Sequence, residues 1–300
     1  MAVTVGFPVA LTGGLGALGR QAANGLTLWS RQTSLPVSLL VRDDRSQASV
    51  AAEQMAALLS CDWLAGPYGS ASTLAAAAVA RQRVLWNHGG ASDLIHERYG
   101  RHVVSLLSPC SRYLGDVPRL MRGRAVAVFN PQGTFSSQVL RALPDVPRLP
   151  FGEPVPPCDT LVLVGRYQQE LALLQALEPR PPVIVAVAAG VKAFGRDLGP
   201  LAEGVIGPAQ WLPGSDSFST SYEAAFGEVP DYPAAAAYAQ GLLWEALVER
   251  AGTDESAMAQ AARSLDIETF YGRFRLDPEG RQVGHQVRLV RWHAGRQEPL

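Results

Sequence analysis

VTVGFPVALTGGLGALGRQAANGLTLWSR, residues 3–31, opens the chain with a β-branched strand pattern, a glycine-rich turn and an amphipathic helix. The strand reads over 3–10 and the helix over 16–31. The same unit then recurs. A strand over 37–41 runs into Asp43-Asp44 and a helix over 48–59, and a short strand over 63–65 precedes a helix over 71–82. Strands follow at 84–86 and 102–107, then a helix at 111–121. A second set starts at 125–129, with a helix from 134, a strand over 161–164, a helix over 168–177 and strands over 183–187 and 205–211. Regular alternation of this kind needs crossover connections, so the strands lie parallel with helices on both faces. Two helices, 233–250 and 254–264, and hairpin-like strands near 271–276 and 286–292 close the chain, while the proline-rich 144–157 reads as an irregular excursion. The expected fold class is α/β, doubly wound.

With 300 residues, 47% of them apolar and 18% charged, the chain has material for two lobes rather than one core. A net charge of -1 gives no broad electrostatic surface for nucleic acid. The densest basic stretch, Arg112, Arg119, Arg122 and Arg124, reads as a solvated helix face. Cys61, Cys110 and Cys158 are far apart, with neither CxxC nor metal spacing, and read as buried thiols. No apolar run reaches the roughly 18 residues of a membrane span. The N-terminus shows no basic leader followed by an apolar core. The expected location is therefore periplasmic or extracellular and lipid-anchored if a signal peptide has been removed, and cytoplasmic otherwise.

Gly14-Leu15-Gly16-Ala17-Leu18-Gly19 spells GxGxxG between a strand and a helix, with acids ending the next strand. On spacing alone this is a dinucleotide fingerprint, so an NAD(P)-dependent oxidoreductase is an alternative. Against it, Thr12 and Gly13 loosen the turn that would bring pyrophosphate to the helix terminus. No Tyr-x-x-x-Lys pair exists, since Lys192 is the sole lysine, and Asp43-Asp44-Arg45-Ser46 reads as a cap of the next helix. GxSxG, HExxH and P-loop patterns are absent and the five histidines form no ligand cluster. His285 and His293 are expected on solvent-facing strands. No catalytic residue, metal or cofactor is assigned.

Ligands of doubly wound sheets bind beyond the carboxyl ends of the strands. Two of those loops, Gly66-Pro-Tyr-Gly-Ser-Ala-Ser-Thr73 and Asn87-His-Gly-Gly-Ala-Ser92, resemble the leucine/isoleucine/valine-binding protein family, the type I periplasmic binding proteins of branched-chain amino acid ABC transporters. Leu11-Thr12-Gly13, Ala23-Asn24-Gly25, Asp43-Asp44, Gly207-Pro-Ala-Gln-Trp211, Phe270-Tyr-Gly-Arg-Phe-Arg-Leu-Asp-Pro-Glu-Gly280 and Val290-Arg-Trp292 follow in the same order. The resemblance implies two Rossmann-like lobes joined by three crossovers: 1–117 plus 214–281, and 118–213 plus 282–300, with the ligand between them. It also implies a non-catalytic importer component that binds a branched-chain or other apolar amino acid by hinge closure and delivers it to a membrane permease. A cytoplasmic amide or small-molecule sensor of the same fold is a further alternative.

Carried over by position, Ser70 and Ser92 would hold a ligand carboxylate, with Gly90 and Ala91 supplying backbone groups. Helix-terminal N–H groups and the helix dipole suit an anion there; the alternative for both serines is a plain N-cap. Leu18 and Tyr232 would line the first lobe, and Phe135, Tyr167 and Ala189 the second. One departure stands out. Amino-acid binders of this family hold the ammonium with an acid after the strand matching 183–187, where this chain reads Ala188-Ala189-Gly190-Val191. Either Asp93 or Glu170 substitutes, or the ligand has no free amine.

Overall fold

The computed structural model describes residues 2–214 and 216–300. The chain begins β1 (Val3–Val9), α1 (Gly16–Gln32), β2 (Val37–Asp43), α2 (Ala48–Leu58), β3 (Trp63–Ala65), α3 (Ser70–Val79), β4 (Leu85–Asn87), α4 (Leu94–Tyr99) and β5 (Val103–Ser105). It continues with β6 (Ala125–Phe129), α5 (Thr134–Val139), β7 (Arg148–Pro150), β8 (Thr160–Val164), α6 (Tyr167–Ala176), β9 (Val183–Ala186), α7 (Ala193–Leu198) and β10 (Ile206–Ala209). The last elements are α8 (Ser217–Phe226), α9 (Tyr232–Ala251), α10 (Glu255–Ala262), β11 (Asp266–Thr269), β12 (Gly272–Arg275), β13 (Arg288–His293) and β14 (Arg296–Pro299).

Two compact units result: Met1–Pro109 with Pro213–Gln286, and Cys110–Leu212 with Val287–Leu300. The chain passes between them three times. The first passage precedes Cys110 rather than following 117. The segment after it is tied into the second unit, where Cys110 Sγ meets Gln138 at 3.4 Å and the Tyr113 hydroxyl accepts from Gln210 Nε2 at 2.9 Å.

In the first unit the five strands run in the order β2-β1-β3-β4-β5, all parallel. The order reverses direction between β1 and β3, which makes their carboxyl ends the switch point where doubly wound sheets take ligands. Alternation along the strands sends Phe7, Trp63 and Trp86 to one face, where Trp63 and Trp86 meet Trp244 of α9, which also packs on Trp29 of α1. The Trp244 ring lies 5.2–6.2 Å from the three other tryptophans. The opposite face packs Leu64 and Leu85 against Met55 and Leu58 of α2 and Ala76 of α3. Helices α1 and α9 meet backbone to backbone, because a Cβ on Gly25 would lie 2.1 Å from the Ala234 carbonyl oxygen.

The second unit repeats the plan as β7-β6-β8-β9-β10, parallel throughout, and extends it with antiparallel β13 and β14. Its strands read as continuous apolar runs, Val126-Ala127-Val128 and Leu161-Val162-Leu163-Val164, because helices cover both faces. One face packs Phe194, Leu174, Leu198 and Trp292.

Four expectations need correction. The helix over 111–121 is two 3-10 turns, Cys110–Arg112 and Val117–Arg119, since Gly115 and Pro118 interrupt the pattern. The excursion over 144–157 contains β7, an edge strand paired to β6 and ending on a proline that an edge tolerates. The two late strands do not pair with each other: β12 pairs with β11, and β13 joins the second unit's sheet between β10 and β14. His285 is 3% exposed rather than solvent-facing, with its ring stacked on Tyr271 and Nδ1 2.8 Å from Ser108 Oγ. His293 is exposed and bonds Glu203 at 2.7 Å.

Candidate functional site

At the switch point of the first unit, two loops are laced together. Gly69 N–H donates to the Gly89 carbonyl at 3.0 Å, joining the β3–α3 loop to the β4–α4 loop. Asn87 organises the second loop, its Oδ1 accepting from Gly89 N at 3.2 Å and Gly90 N at 2.8 Å while Nδ2 donates to the Gly90 carbonyl and to Ser105 Oγ. Gly90 must be glycine, since a Cβ there would lie 2.5 Å from Thr73 Oγ1. Thr73 is itself fixed to the Pro67 and Gly69 carbonyls.

Into this frame Ser70 projects a half-buried hydroxyl. Its oxygen accepts from Ala91 N–H at 3.2 Å and Ser92 N–H at 3.1 Å. Ser70, Gly90, Ala91 and Ser92 are thus brought together. Ser70 is the first residue of α3, whose N-cap is Gly69 with no side-chain cap; it is therefore not a plain cap. Ser92 is 2% exposed and lies two residues before α4, its carbonyl accepting from Ile95 N–H. Two convergent N–H groups and a hydroxyl form a donor set suited to a carboxylate oxygen.

Tyr232 begins α9, and its hydroxyl bonds that of Tyr68, two residues before Ser70. Burial pushes the Tyr232 phenol well above its ordinary range, so Tyr232 stays neutral. Tyr68 was not singled out from sequence, although it sits inside the quoted Gly66-to-Thr73 motif. Leu18 is half-buried in α1, but Leu15 is the residue that reaches this loop: a Cβ on Gly69 would lie 2.8 Å from Leu15 Cδ1.

The glycine-rich turn is held by side chains rather than left open. Asp43 accepts from Leu11 N–H, Thr12 N–H, Thr12 Oγ1 and Arg45 N–H. Burial opposes its charge, but these hydrogen bonds keep the carboxyl below the usual range. Ser46 Oγ accepts from Leu15 N–H at 3.0 Å and donates to the Thr12 carbonyl. Asp43 therefore clamps the turn instead of capping α2, whose N-cap is Gln47. Asp44 is fully buried, accepts from Ser46 N–H, and is raised by burial to about 6. His88, also fully buried, sits edge-on to Phe7 with neither ring nitrogen hydrogen-bonded, and burial lowers it to about 3.

In the second unit, Phe135 lies on α5, edge-on to Tyr113 at 5.9 Å. Tyr167 begins α6 and donates to Asp197 Oδ2 at 2.8 Å. Ala189, fully buried in the turn Val187–Gly190, gives its carbonyl to Trp292 Nε1 and Gln297 Nε2, both at 2.9 Å. Its side chain belongs to the core. Glu170, 1% exposed, accepts from Gly165 N–H at 2.7 Å and Ala188 N–H at 2.8 Å, tying the loop after β8 to the loop after β9. Burial raises its carboxyl to about 8. Among the described residues no three His, Cys, Asp or Glu side chains form a metal-binding group. None of the described helices is long and apolar enough to cross a membrane.

Residues 182–297 match the family model of the periplasmic binding proteins. Solved structures align along nearly the full length. A leucine binding protein from Thermotoga maritima superposes with a TM-score of 0.84 at 18% identity, covering 100% of this chain and 98% of that one. The branched-chain amino acid transporter substrate binding protein of Streptococcus pneumoniae, in complex with isoleucine, gives 0.84 at 15% identity over 99% and 98%. A solute binding protein of an ABC transporter from R. palustris, in complex with benzoate, gives 0.83 at 19% over 100% and 96%. The chain has the type I periplasmic binding protein fold and resembles the leucine/isoleucine/valine-binding proteins.

Proposed function

We propose that this chain is the non-catalytic substrate-binding component of an ABC importer, working outside the cytoplasmic membrane with a permease as its partner. It binds one small organic carboxylate by hinge closure, with Ser70 and the N–H groups of Ala91 and Ser92 as the anchor. Leu18, Tyr232, Phe135 and Tyr167 are proposed as lining residues, with Tyr68 and Leu15 added by their contacts with the Ser70 loop; Ala189, its side chain in the core, is proposed only as support for the turn after β9.

The observation that carries this reading is the Ser70 hydroxyl, which gathers two backbone donors at the switch point of a parallel sheet. Both ligands named in the neighbouring complexes, isoleucine and benzoate, carry a carboxylate. The dinucleotide alternative is disfavoured because the turn's Leu11 and Thr12 N–H groups go to a carboxylate, Asp43, a charged acceptor that a pyrophosphate would have to displace. A carboxylate at Asp43 would also repel a pyrophosphate.

A thermal-shift panel of amino acids, amides, small carboxylates and NAD(P) tests it. A ligand bound only by the folded state stabilises by about 2.7 kcal/mol at a hundredfold excess over Kd. A carboxylate should give the largest shift. Stabilisation by amides alone, or by NAD(P) alone, would contradict the reading.

A further inference from the structure

We infer that the ligand is a carboxylic acid without an ammonium group, rather than an amino acid. The inference rests on the Ser70 loops being a carboxylate anchor and concerns what surrounds them.

A buried ammonium requires an acid whose charge is free to face it. Most acids at the carboxyl ends of the strands are hydrogen-bonded within the protein or closed off from the surface. In the first unit, Asp43 has both oxygens occupied by Leu11, Thr12 and Arg45. Asp44 has no exposed surface, and Asp231 accepts from Tyr232 N–H as the N-cap of α9. Asp93 is 8% exposed and lies within electrostatic reach of His96, one turn along α4.

In the second unit, Glu170 gives one oxygen to Gly165 and the other to Ala188, with 1% of its surface exposed. Its burial also favours the protonated form around neutrality. Asp197 takes Arg196 and the Tyr167 hydroxyl. Beside the anchor, α9 brings the Tyr232 phenol, hydrogen-bonded to that of Tyr68 and kept neutral by burial. A neutral phenol offers a hydrogen-bonding oxygen and a ring face, but not the full negative charge that offsets a buried ammonium.

Calorimetric titration with matched acids tests this. The probes are 4-methylpentanoate against leucine, 3-methylpentanoate against isoleucine, and 3-phenylpropanoate against phenylalanine, with benzoate and the primary amides of the same chains alongside. At least one acid without nitrogen should bind, and its amino counterpart should bind about 30-fold or more weakly, or not measurably. Equal or tighter binding of the amino acid overturns the inference and leaves the carboxylate anchor standing. Loss of that binding in Asp93→Asn would then identify the acid that holds the ammonium. Binding of amides alone, or of no acid in either series, overturns the anchor and this inference together.

Discussion

In the loop that opens α3, one hydroxyl oxygen answers two backbone donors that belong to another loop. A bound carboxylate oxygen would take those donors over and receive the Ser70 O–H as well. Replacing Ser70 with Ala removes one hydrogen bond to a charged group, about 1.5–3 kcal/mol, or roughly tenfold to a hundredfold in affinity. The same change cuts the tie to Ala91 and Ser92 and should lower global stability by about 1 kcal/mol. Calorimetry beside a urea denaturation curve separates the two effects; unchanged affinity with reduced stability would make Ser70 a structural tie only. Ser70 stands out in the sequence through the resemblance of its loop to the leucine/isoleucine/valine-binding proteins, and because that loop follows a strand, where the fold takes ligands. Tyr68 does not, because its partner Tyr232 is distant in sequence and nothing local announces the pairing.

Between elements, Glu170 does for the second unit what Ser70 does for the first: it fastens the loop after β8 to the loop after β9. Its folded carboxyl titrates at about 8 against an ordinary 4.5. Between those values the folded chain keeps a proton that the unfolded chain has lost. Stability from this group is therefore full below about 4.5, falls as pH rises through the window, and is lost above about 8. The effect is on the order of a few kcal/mol. Glu170→Gln keeps a neutral acceptor and should flatten that part of the profile. Denaturation midpoints from about pH 5 to 8 should fall more steeply for the native chain than for the variant. Equal slopes would place the charge elsewhere. From sequence, an acid in the first turn of a helix looks like an ordinary partner of the helix dipole, so this bridge was hidden. Periodic elements such as α1 and α9 were legible because their apolar faces persist for many turns. Helix α8 was missed: its first residues, Ser217-Phe-Ser-Thr-Ser221, have weak helix propensity, and Asp216 and Gly227 define its ends.

For the molecule as a whole, alternation along the sequence was enough to indicate parallel sheets, because a crossover connection leaves few other topologies. The route of the chain at its end was not legible, since β13 finds its partner β10 far back in sequence rather than in an adjacent strand. As the proposed substrate-binding component, the chain would bind and release its ligand without chemistry. A calorimetric titration with the carboxylate that gives the largest thermal shift, followed by denaturation and mass analysis of what was bound, tests that claim. One saturable site per chain and quantitative recovery of the unaltered acid are expected. Conversion of the acid to another compound, or saturable binding of NAD(P) in its place, would contradict that claim.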